Sequence, residues 1–251
     1  MSAGDIFLWE LLGTAVLVML GTGVVANNVL RRTNGNDGGV LFVNVGWGFA
    51  VFTGASLAAP SGAHLNPAIT LAFAVADKTP WSDVPMYFLA QMLGGIIGAV
   101  LCWATYKLQF DDHDDPAGTL GVFSTAPTIR NPVWNLVTEA LGTFVLVAFV
   151  LFSPAFKPGD ADQGVLPNFG NSALGYAAVA FVVLVIGTSL GGPTGYAINP
   201  ARDLGPRIAY AFVLPIKGKG RADWGYAWVP VAGPLLGGVL AALLFMAYPA
   251  A

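Results

Sequence analysis

Thr194-Gly195-Tyr196-Ala197-Ile198-Asn199-Pro200-Ala201-Arg202-Asp203 decides how this chain is read, because it has an upstream echo in Ser61-Gly62-Ala63-His64-Leu65-Asn66-Pro67-Ala68. Each copy predicts irregular, small-residue backbone running into a helix start. Asparagine is a favoured N-cap, and proline is pre-shaped for the first helical position. An asparagine cap works in two directions: its side-chain oxygen accepts from the first helical turn, while its amide keeps two donors free for something else.

Composition puts both caps in a membrane. Of 251 residues 55% are hydrophobic and 10% charged, with a mean hydropathy of +0.67, which is more apolar surface than a soluble core hides. A net charge of -3 is too small to imply a nucleic-acid partner. The single cysteine, Cys102, excludes an internal disulfide framework and reads as lipid- or helix-facing filler. Asp5 and Glu10 stand where a signal peptide carries positive charge, and no small-x-small site follows, so the first segment is expected to be retained as a span.

Taken in order, the apolar stretch 6–27 is long enough to cross a hydrocarbon core of about 30 Å at about 1.5 Å per residue. Stretches 40–59 and 84–106 are further spans, and between them 65–75 is about half the required length. After a polar connector the plan repeats: 133–152, 173–190 and 226–248 span, and 201–214 is again too short. Glu10-Leu11-Leu12-Gly13-Thr14 recurs as Glu139-Ala140-Leu141-Gly142-Thr143, and Gln91-Met92-Leu93-Gly94-Gly95 resembles Pro234-Leu235-Leu236-Gly237-Gly238, which marks an internal duplication. Three spans per half is an odd number, so the second copy enters from the opposite face. The expected fold is an all-α membrane protein with six transmembrane helices plus two re-entrant half-helices in inverted repeats. Residues 1–251 form one domain, with repeat 1 about 6–109, repeat 2 about 132–250 and loop 110–131 between them.

Inversion brings the caps Asn66 and Asn199 together near the midplane. Non-helical backbone at that depth is tolerated where it lines a watery cavity or is buried in protein, so the carbonyls of Gly62, Ala63, His64, Leu65, Gly195 and Ala197 are expected to line a pore. Two helix N-termini aimed at one point place about half a positive charge each there. Such a centre repels cations and hydrated protons and prefers neutral solutes.

The paired Asn66-Pro67-Ala68 and Asn199-Pro200-Ala201 boxes, their glycine-bearing loops, Arg202 after the second box and a matched glutamate in each half resemble the major intrinsic proteins, the aquaporins and glycerol facilitators. Asp203, Arg207 and Pro230-Val231 are similar to the glycerol branch. That resemblance implies a multi-pass plasma-membrane channel for glycerol, water and other small neutral solutes, urea among them, assembled as a homotetramer with one pore per subunit. It implies no catalytic residue, metal or cofactor. It also implies a narrowest ring of Trp47, Gly187, Tyr196 and Arg202. In that ring Trp47 and Tyr196 offer an apolar corner to a polyol's carbons, Arg202 and exposed carbonyls take its hydroxyls, and Gly187 supplies width. Two departures are visible: the interval from Trp47 to Asn66 is one residue shorter than in bacterial facilitators, and Tyr196 stands where phenylalanine is commoner.

Other groups are weighed against blander readings. Glu10 and Glu139 are expected to accept N–H bonds from the two loops, because unpaired charge at this depth is costly. His64 reads as a satisfied structural histidine in preference to a pH gate. Asp111, Asp112, His113, Asp114 and Asp115 lack regular ligand spacing and read as a solvated loop. Gly94, Gly95, Gly98, Gly237 and Gly238 read as close-packing positions. Arg202, a permanent charge inside a short intramembrane helix, is expected to face a cavity and be held by carbonyls.

Arg31, Arg32, Lys107, Arg130, Lys217, Lys219 and Arg221 fall on the side opposite the N-terminus, against Lys78 and Lys157 on its own side. That count votes for an outside N-terminus, whereas the resemblance implies that both termini are cytoplasmic. The alternatives are a mainly water-selective pore and, in another class, a secondary active transporter. The latter needs titratable residues along its path, and Arg202 cannot titrate. An enzyme reading has neither a nucleophile–base pair nor a metal-ligand cluster at membrane depth.

Overall fold

The computed structural model describes residues 1–153 and 174–248. Lys157 and Ala173, which entered the sequence reading, lie outside the described residues. The chain runs α1 (Ala3–Val29), α2 (Gly39–Leu57), α3 (Pro67–Val75), α4 (Val84–Thr105), α5 (Lys107–Asp112), α6 (Leu120–Phe123), α7 (Pro132–Phe152), α8 (Leu174–Leu190), α9 (Pro200–Ile208) and α10 (Val229–Ala247).

Among the described residues five helices, α1, α2, α4, α7 and α10, are long and apolar enough to cross a membrane, and α8 is a shorter apolar helix of 17 residues. Helices α3 and α9 have nine residues each, about 14 Å at 1.5 Å per residue, which is half a crossing. Ser2 starts α1 with a capping box closed by Asp5. The expected segment 201–214 is corrected at its end: α9 stops at Ile208, and a five-residue π-helical turn, Ala209–Val213, follows. Lys219 reaches back to this end, its Nζ donating to the carbonyls of Tyr210 (2.5 Å) and Leu214 (2.7 Å), and burial holds its ammonium below the usual lysine range.

The two repeats interlock. α1 packs on α2 and α4, and α7 packs on α8 and α10, while each half-helix lies chiefly against the last span of the other repeat, α9 on α4 and α3 on α10. Two glycines make that exchange possible. A Cβ at Gly95 would stand 2.6 Å from the carbonyl oxygen of Ala201, and one at Gly238 would stand 2.8 Å from that of Ala68. Any side chain there would push a half-helix off its seat.

Within the connector the acidic run is solvated, with Asp111, Asp114 and Asp115 exposed, while other parts of it are packed. α5 and α6 lie at its start and middle, and Phe110, Thr119, Val122, Phe123, Ser124 and Thr125 are buried. Its acidic run is also partly neutralised: Asp112 and Asp114 pair with Arg31, Asp112 also pairs with Arg32, and Asp111 pairs with Lys107.

Candidate functional site

The two box loops share one strained backbone. Gly62, Ala63 and Leu65 have φ of 88°, 54° and 54°, and their counterparts Gly195, Tyr196 and Ile198 have 80°, 38° and 44°. A left-handed conformation at a non-glycine residue costs about 1–3 kcal/mol, so something must hold these loops. Two buried carboxylates occupy the right places. Glu10 accepts from the backbone N–H of His64 (2.9 Å) and Leu65 (2.7 Å), and Glu139 accepts from those of Ala197 (3.0 Å) and Ile198 (2.8 Å). Glu10 has two further donors in Ser61 Oγ and Gln91 Nε2.

Each loop ends in its cap. Asn66 Oδ1 accepts from Ala68 N–H at 2.8 Å, and Asn199 Oδ1 accepts from Ala201 at 3.0 Å and Arg202 at 3.2 Å. The amides do not both stay free, which corrects the expectation of two outward donors per cap. Asn66 Nδ2 donates to the carbonyl of Ile198 and Asn199 Nδ2 to that of Leu65, each at 2.8 Å. The caps therefore tie the two loops together, with the half-helix N-termini opposed, and each amide retains one N–H.

A cavity of about 440 Å³ is lined by Trp47, Tyr196 and Arg202, by the caps Asn66 and Asn199, and by Lys78 and Phe245 among others. The loop residues 62–65 and 197–198 contribute to the lining, as do the apolar side chains of Ile69, Leu146, Val179 and Val183. His64 lines the cavity, but its ring is engaged: Nδ1 lies 3.0 Å from Thr70 Oγ1, and the ring stacks on Tyr87 at 4.3 Å.

Arg202 is buried, its guanidinium 3.8 Å from the Trp47 ring centroid, and its side chain donates to the Phe123 carbonyl at 3.4 Å. One long carbonyl bond from the connector holds it, as expected, and an indole face adds to that hold. The shortened interval before Asn66 does not turn Trp47 away from Arg202. Asp203 does not face the cavity. Its carboxylate accepts from Thr125 N–H and Oγ1 (2.7 Å each) and from Arg207 Nε (2.9 Å), and both Asp203 and Arg207 are fully buried. Arg207 in turn donates to the carbonyls of Ala222 and Thr125. This cluster locks the connector onto α9 one residue beyond Arg202.

Gly187 is not among the cavity-lining residues. A Cβ there would come within 2.7 Å of Tyr196 Cζ and 2.9 Å of both Tyr196 Oη and Asn44 Oδ1, so the missing side chain makes room for the tyrosine ring. Sequence reasoning missed Asn44, Phe123 and Thr125. Asn44 alone carried a signal, since an amide in the middle of an apolar span needs a partner.

The major intrinsic protein family model matches residues 3–245. The chain is similar to glycerol uptake facilitator protein 3 of Lactiplantibacillus plantarum, 48% identical with 96% of each chain covered. It is also similar to a probable glycerol uptake facilitator protein of Thermotoga maritima, 46% identical over 96% of this chain and 98% of the relative. Among solved structures it resembles the aquaglyceroporin from Plasmodium falciparum with a TM-score of 0.79, 30% identity, and 97% and 96% of the two chains covered.

Proposed function

Because the chain belongs to the major intrinsic protein family, a family of integral membrane channels and not of enzymes, we propose that it is a passive channel for glycerol and other small neutral solutes, water included. The observation that carries this reading is that Trp47, Tyr196, Arg202 and the caps Asn66 and Asn199 all line one and the same cavity. A polyol has a carbon side and a hydroxyl side. The apolar lining residues and the rings of Trp47 and Tyr196 take the carbons. The carbonyls of the two loops and the remaining donors of Arg202 take the hydroxyls, so hydration is exchanged for contacts at modest cost.

At the centre each cap offers its one remaining N–H. A hydroxyl or water there accepts from both caps while two positive helix ends face it, which disfavours cations and proton transfer. The amphipathic lining favours polyols over water alone. Ion coupling needs a titratable carboxylate on the path, and both candidates, Glu10 and Glu139, are buried and spend their oxygens on loop N–H groups.

The proposal includes a homotetramer with one pore per subunit and both termini in the cytoplasm, as the family resemblance implies. Cross-linking and a terminal-tag accessibility assay on intact cells test these two parts. The flux itself is tested by stopped-flow comparison of water, glycerol and urea entry into proteoliposomes. Glycerol entry well above that of empty vesicles is expected. Water entry alone would favour the water-selective alternative.

A further inference from the structure

Asn44 lies on α2 one turn before Trp47, is 1% exposed and does not line the cavity. Its Oδ1 accepts the hydroxyl of Tyr196 at 2.6 Å. Its own Nδ2 has no hydrogen-bond partner among the described residues. Burying an unpaired amide in an apolar span is unfavourable, and an apolar residue of similar size would avoid it, so the amide is explained by what its oxygen holds. The phenol is seated between Asn44 and two residues without side chains. A Cβ at Gly187 would stand 2.7 Å from Tyr196 Cζ, and one at Gly191 would stand 2.4 Å from Tyr196 Cδ1. The backbone of Tyr196, at φ 38°, fixes where that side chain begins.

We infer that Asn44 is a specificity-determining positioning residue: by accepting the Tyr196 hydroxyl it holds the phenol over Gly187 and so sets the aperture between Trp47, Tyr196 and Arg202. This rests on reading those three residues as the narrowest point of a glycerol channel. The hydroxyl of an unrestrained tyrosine needs an acceptor. With Asn44 gone, the polar medium within reach is the cavity itself. The phenol then leans toward Trp47 and Arg202 and narrows the passage, and the loss grows with solute cross-section: least for water, more for glycerol, most for a four-carbon polyol.

The test uses the full chain in liposomes, with stopped-flow permeabilities for water, glycerol and erythritol. Asn44→Leu is measured in the parent and in a Tyr196→Phe background, where there is no hydroxyl to hold. In the parent it is expected to lower the glycerol-to-water permeability ratio about fivefold and the erythritol ratio further, and in the Tyr196→Phe background to change either ratio by less than about 1.5-fold. A purely structural role would lower all fluxes together and leave the ratios alone. If the leucine variant does not reach the bilayer, Asn44→Ser, which falls short of the phenol, gives the same comparison. Parental ratios in the Asn44 variant, or an equal loss in both backgrounds, overturn the inference. A parent that passes water but no glycerol overturns instead the glycerol reading beneath it.

Discussion

Replacing Glu139 with glutamine changes little in volume and removes one acceptor. The carboxylate takes two buried donors, Ala197 N–H at 3.0 Å and Ile198 N–H at 2.8 Å. Glutamine has one oxygen, so one of these N–H groups faces an NH2 and is orphaned at about 1–3 kcal/mol, and the surviving bond loses its charge assistance. The sum is about 3 kcal/mol, set against a total stability of about 5–15 kcal/mol. At about 2–4 °C per kcal/mol for a chain of this size, the melting temperature should drop by about 6–12 °C. Function should suffer below that temperature too. Ile198 supplies the carbonyl that Asn66 Nδ2 holds, so a loosened second loop also frees the first cap. The assay pairs a thermal melt of the purified protein in detergent with glycerol flux in liposomes at a temperature where both proteins are folded. A variant that melts within about 2 °C of the parent and conducts glycerol at the parental rate refutes the idea that this carboxyl anchors the loop through both of its oxygens.

Asn199→Ala loses a cap worth about 1 kcal/mol and the bond from Nδ2 to the Leu65 carbonyl. Lowered glycerol flux and a lower melt are expected, and parental values of both would contradict the role given to the boxes. Gly187→His, checked for assembly, should abolish most glycerol flux while water persists, because even its Cβ falls 2.7 Å from Tyr196 Cζ and forces the phenol toward the passage. Unchanged glycerol entry would mean that this seat does not govern width. Cys102 is buried among Ala26, Ala99 and Phe123 and does not line the cavity, so membrane-permeant mercurials should leave flux intact. Inhibition that disappears in Cys102→Ser would disprove that placement.

The architecture was legible where local chemistry is decisive. Asn-Pro fixes both half-helix starts, and segment length separates α3 and α9 from full spans. The repeated glutamates indicated what would meet the loops, because unpaired charge at that depth needs donors. What the sequence did not reveal involves contacts between distant segments whose residue types look ordinary. Thr125 sits in a polar connector and nothing local ties it to Asp203. The Tyr196 hydroxyl joins Asn44 across 152 positions. In the sequence Gly187 suggests empty space offered to a solute, whereas a tyrosine ring fills that space, and only the packed geometry distinguishes the two. The cap amides look wholly free in the sequence because their partners, the carbonyls of Leu65 and Ile198, belong to the opposite repeat.

A neutral, uncoupled pore for glycerol differs from a coupled transporter in how entry depends on the gradient. The most direct measurement is initial entry of labelled glycerol into sealed proteoliposomes over a wide concentration range, with and without a protonophore. A passive pore predicts entry that rises linearly with the gradient and ignores the protonophore. Entry that saturates at low concentration and collapses when the proton gradient is dissipated would contradict it.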